Sequence, residues 1–410
     1  MLGVCPNAHP QGEAALPFLL ISSSADANAW GGVSTSVASD DAISVITNPG
    51  QLGLFTLESY FSASTYTNKT AWLSTFQQSD LTYNAQALAA GYNLCNDLPL
   101  PFPISLGVGY SEVDLDLGTF IMTGPGGPDP IGTFEAYEKS NNISIAFGIE
   151  YFLRLGVGWN FKDVESVLGP LSSGEVGKAQ ASMSDFGLLL QAPMVEILER
   201  ATSDSIQFLS NIKPYFTLSL GSAVNNMGDD AVSYSDLAQA DPLPKNAITG
   251  LSLELGFSKK AGVAEWKVLT FTLAREAEDL LVKRSADGSF EYQSGWGEIS
   301  FFKNVIGGKA ADCVNLHRGW QLNVCEFVYL RGGSYAETKQ CGNRNYSTSG
   351  FTLRLSGLFR LLEQTAPDVL GDDVVSFVAD HIDIVYDHAE YSDHELLGGT
   401  SFNALSIIVR

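Results

Sequence analysis

The chain has 410 residues, of which 45% are hydrophobic and 17% charged, enough apolar residues for one large domain or two ordinary ones. Its formal net charge of -23, from 46 acidic and 23 basic side chains, argues against nucleic acid as a partner because few cations could neutralise phosphates. No run of about 18 to 20 apolar residues occurs, which excludes a helical membrane protein and leaves strands as the way to cross a bilayer. The first five residues lack the features of a signal peptide, and we expect that one has been removed.

Residues 1–52 show no alternation of polar and apolar residues and are rich in Ser, Ala, Gly and Asp. This composition predicts a compact N-terminal segment that is distinct from residues 53–410. Asn48-Pro49-Gly50 closes the segment with a turn, because proline fixes φ and glycine leaves it free. The alternative is an ordinary turn before a strand.

From residue 53 onward, polar and apolar residues alternate, which is typical of strands with one apolar face. The polar faces carry mostly small residues, which suits the lumen of a membrane barrel better than the water-exposed face of a soluble sandwich. Aromatic residues near segment ends are typical of interfacial girdles: they are Tyr60, Tyr66, Tyr92, Tyr110, Tyr151 and Trp159. The residues expected to face lipid include Leu251, Leu253, Leu255, Phe351, Leu353 and Leu355.

The sequence therefore predicts an all-β transmembrane antiparallel barrel of about fourteen strands in the cell outer membrane. The predicted strands cover residues 53–66, 81–94, 103–117, 141–151, 153–163, 184–192, 214–225, 246–258, 265–275, 289–302, 321–334, 349–361, 380–390 and 401–410. Helical spacing predicts short helices within 194–211 and 364–380. An even strand number places both chain ends on the periplasmic side.

Five cysteines in a protein outside the cytoplasm predict one or two disulfides. Cys5 could reach Cys95, and Cys313 with Cys325 is a weaker candidate. His381, His388 and His394 invite a metal site, but an odd spacing places the first two on opposite faces of a strand. We expect no metal, no other cofactor and no enzymatic activity, since the sequence contains no catalytic motif.

Six charged residues fall on predicted lumen faces: Glu58, Glu150, Arg154, Glu254, Arg354 and Arg360. We expect them to pair with one another and with the N-terminal segment, because unpaired charges in a narrow barrel are unfavourable. Outside the barrel, a predicted loop at 118–133 combines Phe120, Ile121 and Met122 with a Gly/Pro stretch, a composition that favours insertion of an apolar tip into a partner.

The N-terminal segment resembles the opening of PorV-like barrels of the type IX secretion system, within the superfamily of FadL-type barrels. The matching positions are Pro17-Phe18-Leu19-Leu20-Ile21, Ala25-Asp26-Ala27, Gly31-Gly32, Asp40-Asp41 and Asn48-Pro49-Gly50. The resemblance continues more faintly in the barrel through residues 185–189, 218–228 and 327–333. It implies that residues 1–52 plug the periplasmic end of the lumen and that the Asn-Pro turn fixes the plug there.

Two functions follow from this resemblance. A PorV-like protein would bind secreted cargo, or would cap or attach to the translocon and its surface complex. Its partners would be other outer-membrane secretion proteins, cargo, the lipid bilayer and lipopolysaccharide. The alternative is a FadL-like transporter that binds a hydrophobic small molecule in the lumen and releases it laterally. A soluble all-β binding protein is a third interpretation.

Overall fold

The computed structural model describes residues 14–410 except 74–80, 124–126, 128, 171–175, 209–210, 229–230, 235–239, 262–263, 286–288, 311–312, 340 and 366–372. The described chain forms a closed antiparallel barrel of fourteen strands. The strands are β1 (Phe61–Tyr66), β2 (Thr82–Asn93), β3 (Ile104–Thr123), β4 (Pro130–Glu150), β5 (Arg154–Pro170), β6 (Val176–Pro193), β7 (Ile212–Gly228), β8 (Asn246–Ala261), β9 (Ala264–Leu280), β10 (Asn315–Val324), β11 (Val328–Ala336), β12 (Asn345–Arg354), β13 (Ile382–Ser392) and β14 (Ser401–Val409). Three short strands, Thr70–Ala71, Val282–Arg284 and Phe290–Tyr292, lie in the connections.

The barrel closes at its first strand, because Phe61 pairs with Val409 of β14 on one side and with Ala90 of β2 on the other. We call the end where β1 begins and β14 finishes the terminal end, and the opposite end the loop end. Both chain ends of such barrels lie in the periplasm, so the terminal end is periplasmic.

The α-helices are α1 (Ala25–Ala29), α2 (Gly50–Glu58), α3 (Met194–Thr202), α4 (Leu355–Thr365) and α5 (Asp373–His381). The 3-10 helices are Pro17–Leu20, Ala42–Ile46 and Leu94–Asn96, and Phe301–Ile306 forms a π-helix. No helix in the described ranges is both long and apolar enough to cross a membrane.

The two faces of the wall differ as the alternation predicts. On β2, for example, Ala85, Ala87 and Ala89 are buried in the lumen, whereas Leu88 is 50% exposed on the outside. The outward residues form an apolar belt that includes Leu106, Val108, Ile143, Ile145, Phe147, Phe161, Leu255, Phe271, Leu273, Leu330, Leu353, Ile384 and Ile407. Among the six residues expected to face lipid, Leu255 and Leu353 are exposed, and Leu251, Leu253 and Phe351 are partly covered.

The predicted number of strands is confirmed, although the placement contains two errors. One predicted strand is absent and another is in fact two strands, so the total is unchanged. Residues 289–302 hold only the short strand Phe290–Tyr292 and then lead into the π-helix, so no barrel strand lies there. The predicted strand 321–334 is instead parts of β10 and β11, joined by a tight turn. Cys325 and Glu326 adopt positive φ in this turn, a conformation that is uncommon for residues other than glycine and could not be predicted from these residue types.

Other boundaries also differ from the prediction. The first strand starts at Phe61 and not at 53, because residues 50–58 form α2 inside the lumen. Strand β12 ends at Arg354, so Leu355 and Arg360 lie on α4. Of the predicted aromatic girdle, Tyr66 is an exception, since it is buried in the lumen with a relative exposure of 6%.

Candidate functional site

The N-terminal segment, residues 14–58, runs through the lumen from the loop end to the terminal end. Helix α1 packs against β12 and β13, and α2 packs against β2 to β6 on the opposite wall. We call these 45 residues the plug segment. The segment therefore spans the lumen, whereas the resemblance implied a plug at the periplasmic end alone.

Inward glycines of the wall form the seat of α2. A Cβ atom at Gly158 would lie 2.2 Å from the carbonyl oxygen of Pro49, and one at Gly156 would lie 2.1 Å from that of Gly50. Both distances are too short for any side chain, so the plug backbone packs directly on the wall backbone. Glycine spacing within the strands is the sequence signal that could have predicted this seat.

The Asn48-Pro49-Gly50 motif lies at this seat and begins α2, not a strand. The Asn48 side chain donates hydrogen bonds to the carbonyl oxygens of Thr35, at 2.8 Å, and Leu188, at 3.0 Å. Its amide oxygen accepts the backbone N–H of Gly50 at 2.9 Å. Asn48 thus joins two parts of the plug segment to β6.

A carboxylate on β9 holds the middle of the plug segment. Glu276 accepts backbone hydrogen bonds from Ser34 at 3.2 Å, Thr35 at 2.8 Å and Ser36 at 2.6 Å. The Ser36 hydroxyl donates a fourth bond, at 2.8 Å. Glu276 is only 1% exposed, and hydrogen bonds to a buried ionised group are strong. The sequence analysis did not identify this residue.

Ion pairs join the plug segment to strands β11 and β12 and to Arg410. Arg331 contacts Asp26 at 2.8 Å, and Asp40 contacts Arg354 at 2.5 Å and Arg410 at 3.0 Å. Burial alone would raise the pKa of Asp40, but the two guanidinium groups outweigh it and hold that pKa well below its usual range. In contrast, burial raises the pKa of the neighbouring Asp41 despite the hydrogen bonds that it accepts.

The expected pairing is confirmed for Glu58, Glu150, Arg154 and Arg354, whereas Glu254 and Arg360 pair with residues outside both the set of six and the plug segment. Arg154 contacts Glu58 at 2.6 Å and Glu150 at 3.2 Å, and Glu254 contacts Lys267 at 3.1 Å. Arg354 also contacts Asp383, and Arg360 contacts Glu326 at 3.1 Å. Except for Glu150 and Asp383, these groups line a polar cavity of about 430 Å³ in the terminal half of the lumen.

The loop half of the lumen is apolar by contrast. Leu16 and Phe18 of the plug segment are 2% and 1% exposed, and they belong to one continuous cluster with wall residues. The aromatic members of the wall include Tyr66, Tyr83, Tyr391 and Phe402. Tyr391 and Phe402 have ring centroids 5.1 Å apart.

Residues 15–21 are held there mainly by apolar contacts. Their one hydrogen bond to another part of the described chain runs from the Ala15 N–H to the carbonyl oxygen of Pro242, at 2.8 Å. Within the segment, Leu19 and Ile21 donate to Leu16 and Phe18 in the 3-10 turn. The plug segment thus has a polar, firmly bonded part (residues 24–58) and an apolar part (residues 15–21).

The predicted partner-binding loop is not a loop in the structure. Phe120, Ile121 and Met122 lie on β3 and not in a loop, because β3 and β4 continue their pairing to Thr123. Phe120 stacks on Phe134 at 5.3 Å. The rest of that predicted loop includes residues 124–126 and 128, which lie outside the described residues.

The cysteine and histidine predictions also have separate outcomes. Cys313 is bonded to Cys341, so its predicted pairing with Cys325 is wrong. Cys5 lies outside the described residues, and the Cys95 thiol donates to the carbonyl oxygen of Phe102 at 3.1 Å. His381 ends α5, so it does not share a strand with His388. No group of metal-ligating side chains occurs among the residues that the structure describes.

No protein-family model and no curated protein matches the chain. Solved barrels match at low similarity. The toluene transporter TodX of P. putida shares 11% identity over 98% of each chain, with a TM-score of 0.36. A Pseudomonas aeruginosa FadL homologue shares 10% identity, covering 95% of this chain and 98% of its own, with a TM-score of 0.35. The β domain of the Bordetella autotransporter Brka shares 8% identity, covering 86% of this chain and 99% of its own, also with a TM-score of 0.35.

Three features characterise the chain: the sheet is closed, its outer face carries an apolar belt, and its lumen contains the plug segment. It is a fourteen-stranded outer-membrane β-barrel whose lumen contains its own N-terminal segment.

Proposed function

We propose that this barrel takes up a small hydrophobic molecule through the loop half of its lumen. The observation that carries the proposal is that this half is an apolar, aromatic-walled space with an apolar occupant, residues 15–21. A space that holds Leu16 and Phe18 offers a comparable hydrophobic molecule the same contacts.

The two parts of the plug segment suit different roles. Residues 24–58 are fixed by Glu276, Asn48 and the ion pairs of Asp40, so they would remain in the lumen while solute passes. Burial of Leu16 and Phe18 contributes roughly 1.5 to 3 kcal/mol each. A bound solute would replace the same kind of contact, so solute and residues 15–21 would compete for the same space.

The resemblance to FadL-type barrels, which import hydrophobic molecules, agrees with this substrate class. The polar cavity at the terminal end suits it poorly as an exit, because its lining contains several paired charges. We therefore infer that the solute leaves sideways through the wall toward lipid and not along the barrel axis.

The test is to measure binding of an aromatic hydrocarbon to the purified barrel in nanodiscs, with and without residues 15–21. Deletion should strengthen binding, because it removes an internal competitor. Phe257→Ala on the outer face is the matched control and should leave binding unchanged. Heat-modifiable migration on a gel checks that each variant is folded. Absence of binding in both folded proteins would contradict the proposal.

A second candidate is a docking role in type IX secretion, in which the barrel binds cargo or the translocon. The firm bonding of residues 24–58 favours it, because a lumen occupied by a fixed segment is compatible with a protein that acts through its surface. This role requires a partner surface outside the barrel, and the resemblance to PorV-like barrels suggests one. Co-purification of partner proteins separates it from transport.

A further inference from the structure

A pair of arginines lies on the outer wall at the upper limit of the apolar belt. Arg275 of β9 and Arg318 of β10 face each other directly in the antiparallel register. One outward position closer to the terminal end, Leu273 faces Trp320, and both are exposed members of the belt. The arginines therefore mark the level at which the hydrocarbon region gives way to lipid headgroups.

The two guanidinium groups donate hydrogen bonds to backbone carbonyl groups at the end of the π-helix and just after it. Arg275 donates to the carbonyl oxygens of Val305 at 3.1 Å and Ile306 at 2.7 Å, and Arg318 donates to that of Gly308 at 2.6 Å. All three acceptors are neutral. Among the residues that the structure describes, neither Arg275 nor Arg318 forms an ion pair with a carboxylate.

Two lysines of the same segment add to the charge. Lys303 and Lys309 are exposed, and residues 299–310 contain no acidic side chain. This concentration is unusual in a chain with 46 acids and only 23 bases. Like charges directly opposite each other on a sheet are unfavourable, so the arrangement favours a bound anion.

The patch borders an apolar groove on the outside of the wall. The groove has a volume of about 540 Å³, and its apolar lining consists mainly of Leu251, Leu253, Leu273, Val305, Ile306 and Trp320. Phe302, on the π-helix that contributes Val305 and Ile306 to the lining, is 81% exposed. The groove opens onto the lipid-facing belt, so an occupant could hold its acyl chains against the belt and its headgroup at the arginines.

We propose that this groove, which has Arg275 and Arg318 in its lining, binds the phosphorylated headgroup of lipid A in the outer leaflet. The exposed Lys303 and Lys309 belong to the segment that contributes Val305 and Ile306 to the lining, and they would add to its positive charge. The loop end faces that leaflet because the chain ends lie at the opposite side. Four cations match a headgroup with two phosphates better than they match a phospholipid with one. Arginine and lysine both bind phosphate through charge-assisted hydrogen bonds.

The test uses the full chain in phosphatidylcholine nanodiscs that contain lipid A, phosphatidylglycerol or no anionic lipid. Retained lipid is measured by native mass spectrometry after release from the nanodisc. The variant is Lys303→Gln with Lys309→Gln, since both side chains are exposed and the arginine contacts stay intact. The matched control is Lys69→Gln with Lys178→Gln, which removes the same charge at the same end of the barrel.

The wild-type barrel should retain lipid A in preference to phosphatidylglycerol. The Lys303/Lys309 variant should bind lipid A roughly thirtyfold more weakly, given the contribution of each basic residue near an anionic surface. The control should bind as the wild type does. A further variant, Arg318→Gln, should weaken binding as well. Equal retention of lipid A by wild type and patch variant, equal retention of phosphatidylglycerol, or full competition by inorganic phosphate would overturn the proposal.

Discussion

The carboxylate of Glu276 lies 2.6 Å from the backbone nitrogen of Ser36. This contact joins strand β9 to the plug segment across 240 residues of sequence. We predict that Glu276→Gln loosens residues 34–36, because an amide replaces the charged acceptor of three N–H groups. The loss should be about 1 to 3 kcal/mol, measured as faster hydrogen exchange of these residues. Glu112→Gln on the outer face is the control, and unchanged exchange in the Glu276 variant would refute the role.

The glycine seat predicts a steric effect. Gly158→Ala would place a methyl group 2.2 Å from the carbonyl oxygen of Pro49, so the plug must shift or the barrel must assemble less well. We expect a destabilisation of about 1 to 3 kcal/mol, seen as a lower fraction of heat-modifiable barrel. Gly109→Ala is the matched control, since its nearest atom would be 3.3 Å away. Equal behaviour of the two variants would contradict the seat.

The ion pair of Asp40 predicts a dependence on acid pH. Its pKa is depressed in the folded protein, so its stabilising contribution is complete above the usual aspartate pKa of about 3.9 and is lost as the pH falls below it. Hydrogen exchange of residues 38–42, corrected for the intrinsic rate, should therefore rise between neutral and strongly acid pH. Asp40→Asn should remove most of this rise. A variant that keeps the full rise would assign it to another group.

The outward belt predicts a cost for charge in contact with lipid. Leu255 is 45% exposed on β8, and Leu255→Arg should destabilise the barrel by about 2 to 4 kcal/mol if it lies near the bilayer midplane. Urea unfolding from lipid vesicles measures this difference. Ser205→Arg, in the exposed connection after α3, is the control and should have little effect. A neutral Leu255→Arg would place this position outside the hydrocarbon region.

Deletion of residues 120–132 tests the docking candidate. The deletion removes Phe120 and the end of the β3–β4 hairpin while the lower pairing of the two strands remains. If secretion partners bind this hairpin, their co-purification should fall, and uptake of a hydrophobic solute should continue. Intact partner binding with lost uptake would favour transport instead.

The alternation of residue types predicted the fold because a membrane barrel repeats it in every strand. It predicted the outer belt well, as at Leu255 and Leu353. It failed at Cys325 and Glu326, where two residues without turn propensity adopt positive φ, and at 289–302, where apolar residues pack on the outside of the wall.

The lumen was harder to predict from the sequence. Glu276 looks like any inward polar residue of a strand, and its partners are backbone groups that carry no side-chain signal. Asp40 belonged to a motif of the family resemblance, yet its partners Arg354 and Arg410 lie more than 300 residues away. Residues 53–58 alternate like a strand, but the seat of inward glycines accommodates them as a helix.

The most direct test of the proposed function is to locate a solute in the lumen. Crystals of the barrel soaked with a brominated aromatic hydrocarbon would reveal the bromine by anomalous scattering. Our account predicts bromine in the loop half, beside Tyr391 and Phe402, with residues 15–21 displaced. Bromine found only on the outer belt, with Leu16 and Phe18 still in place, would contradict it.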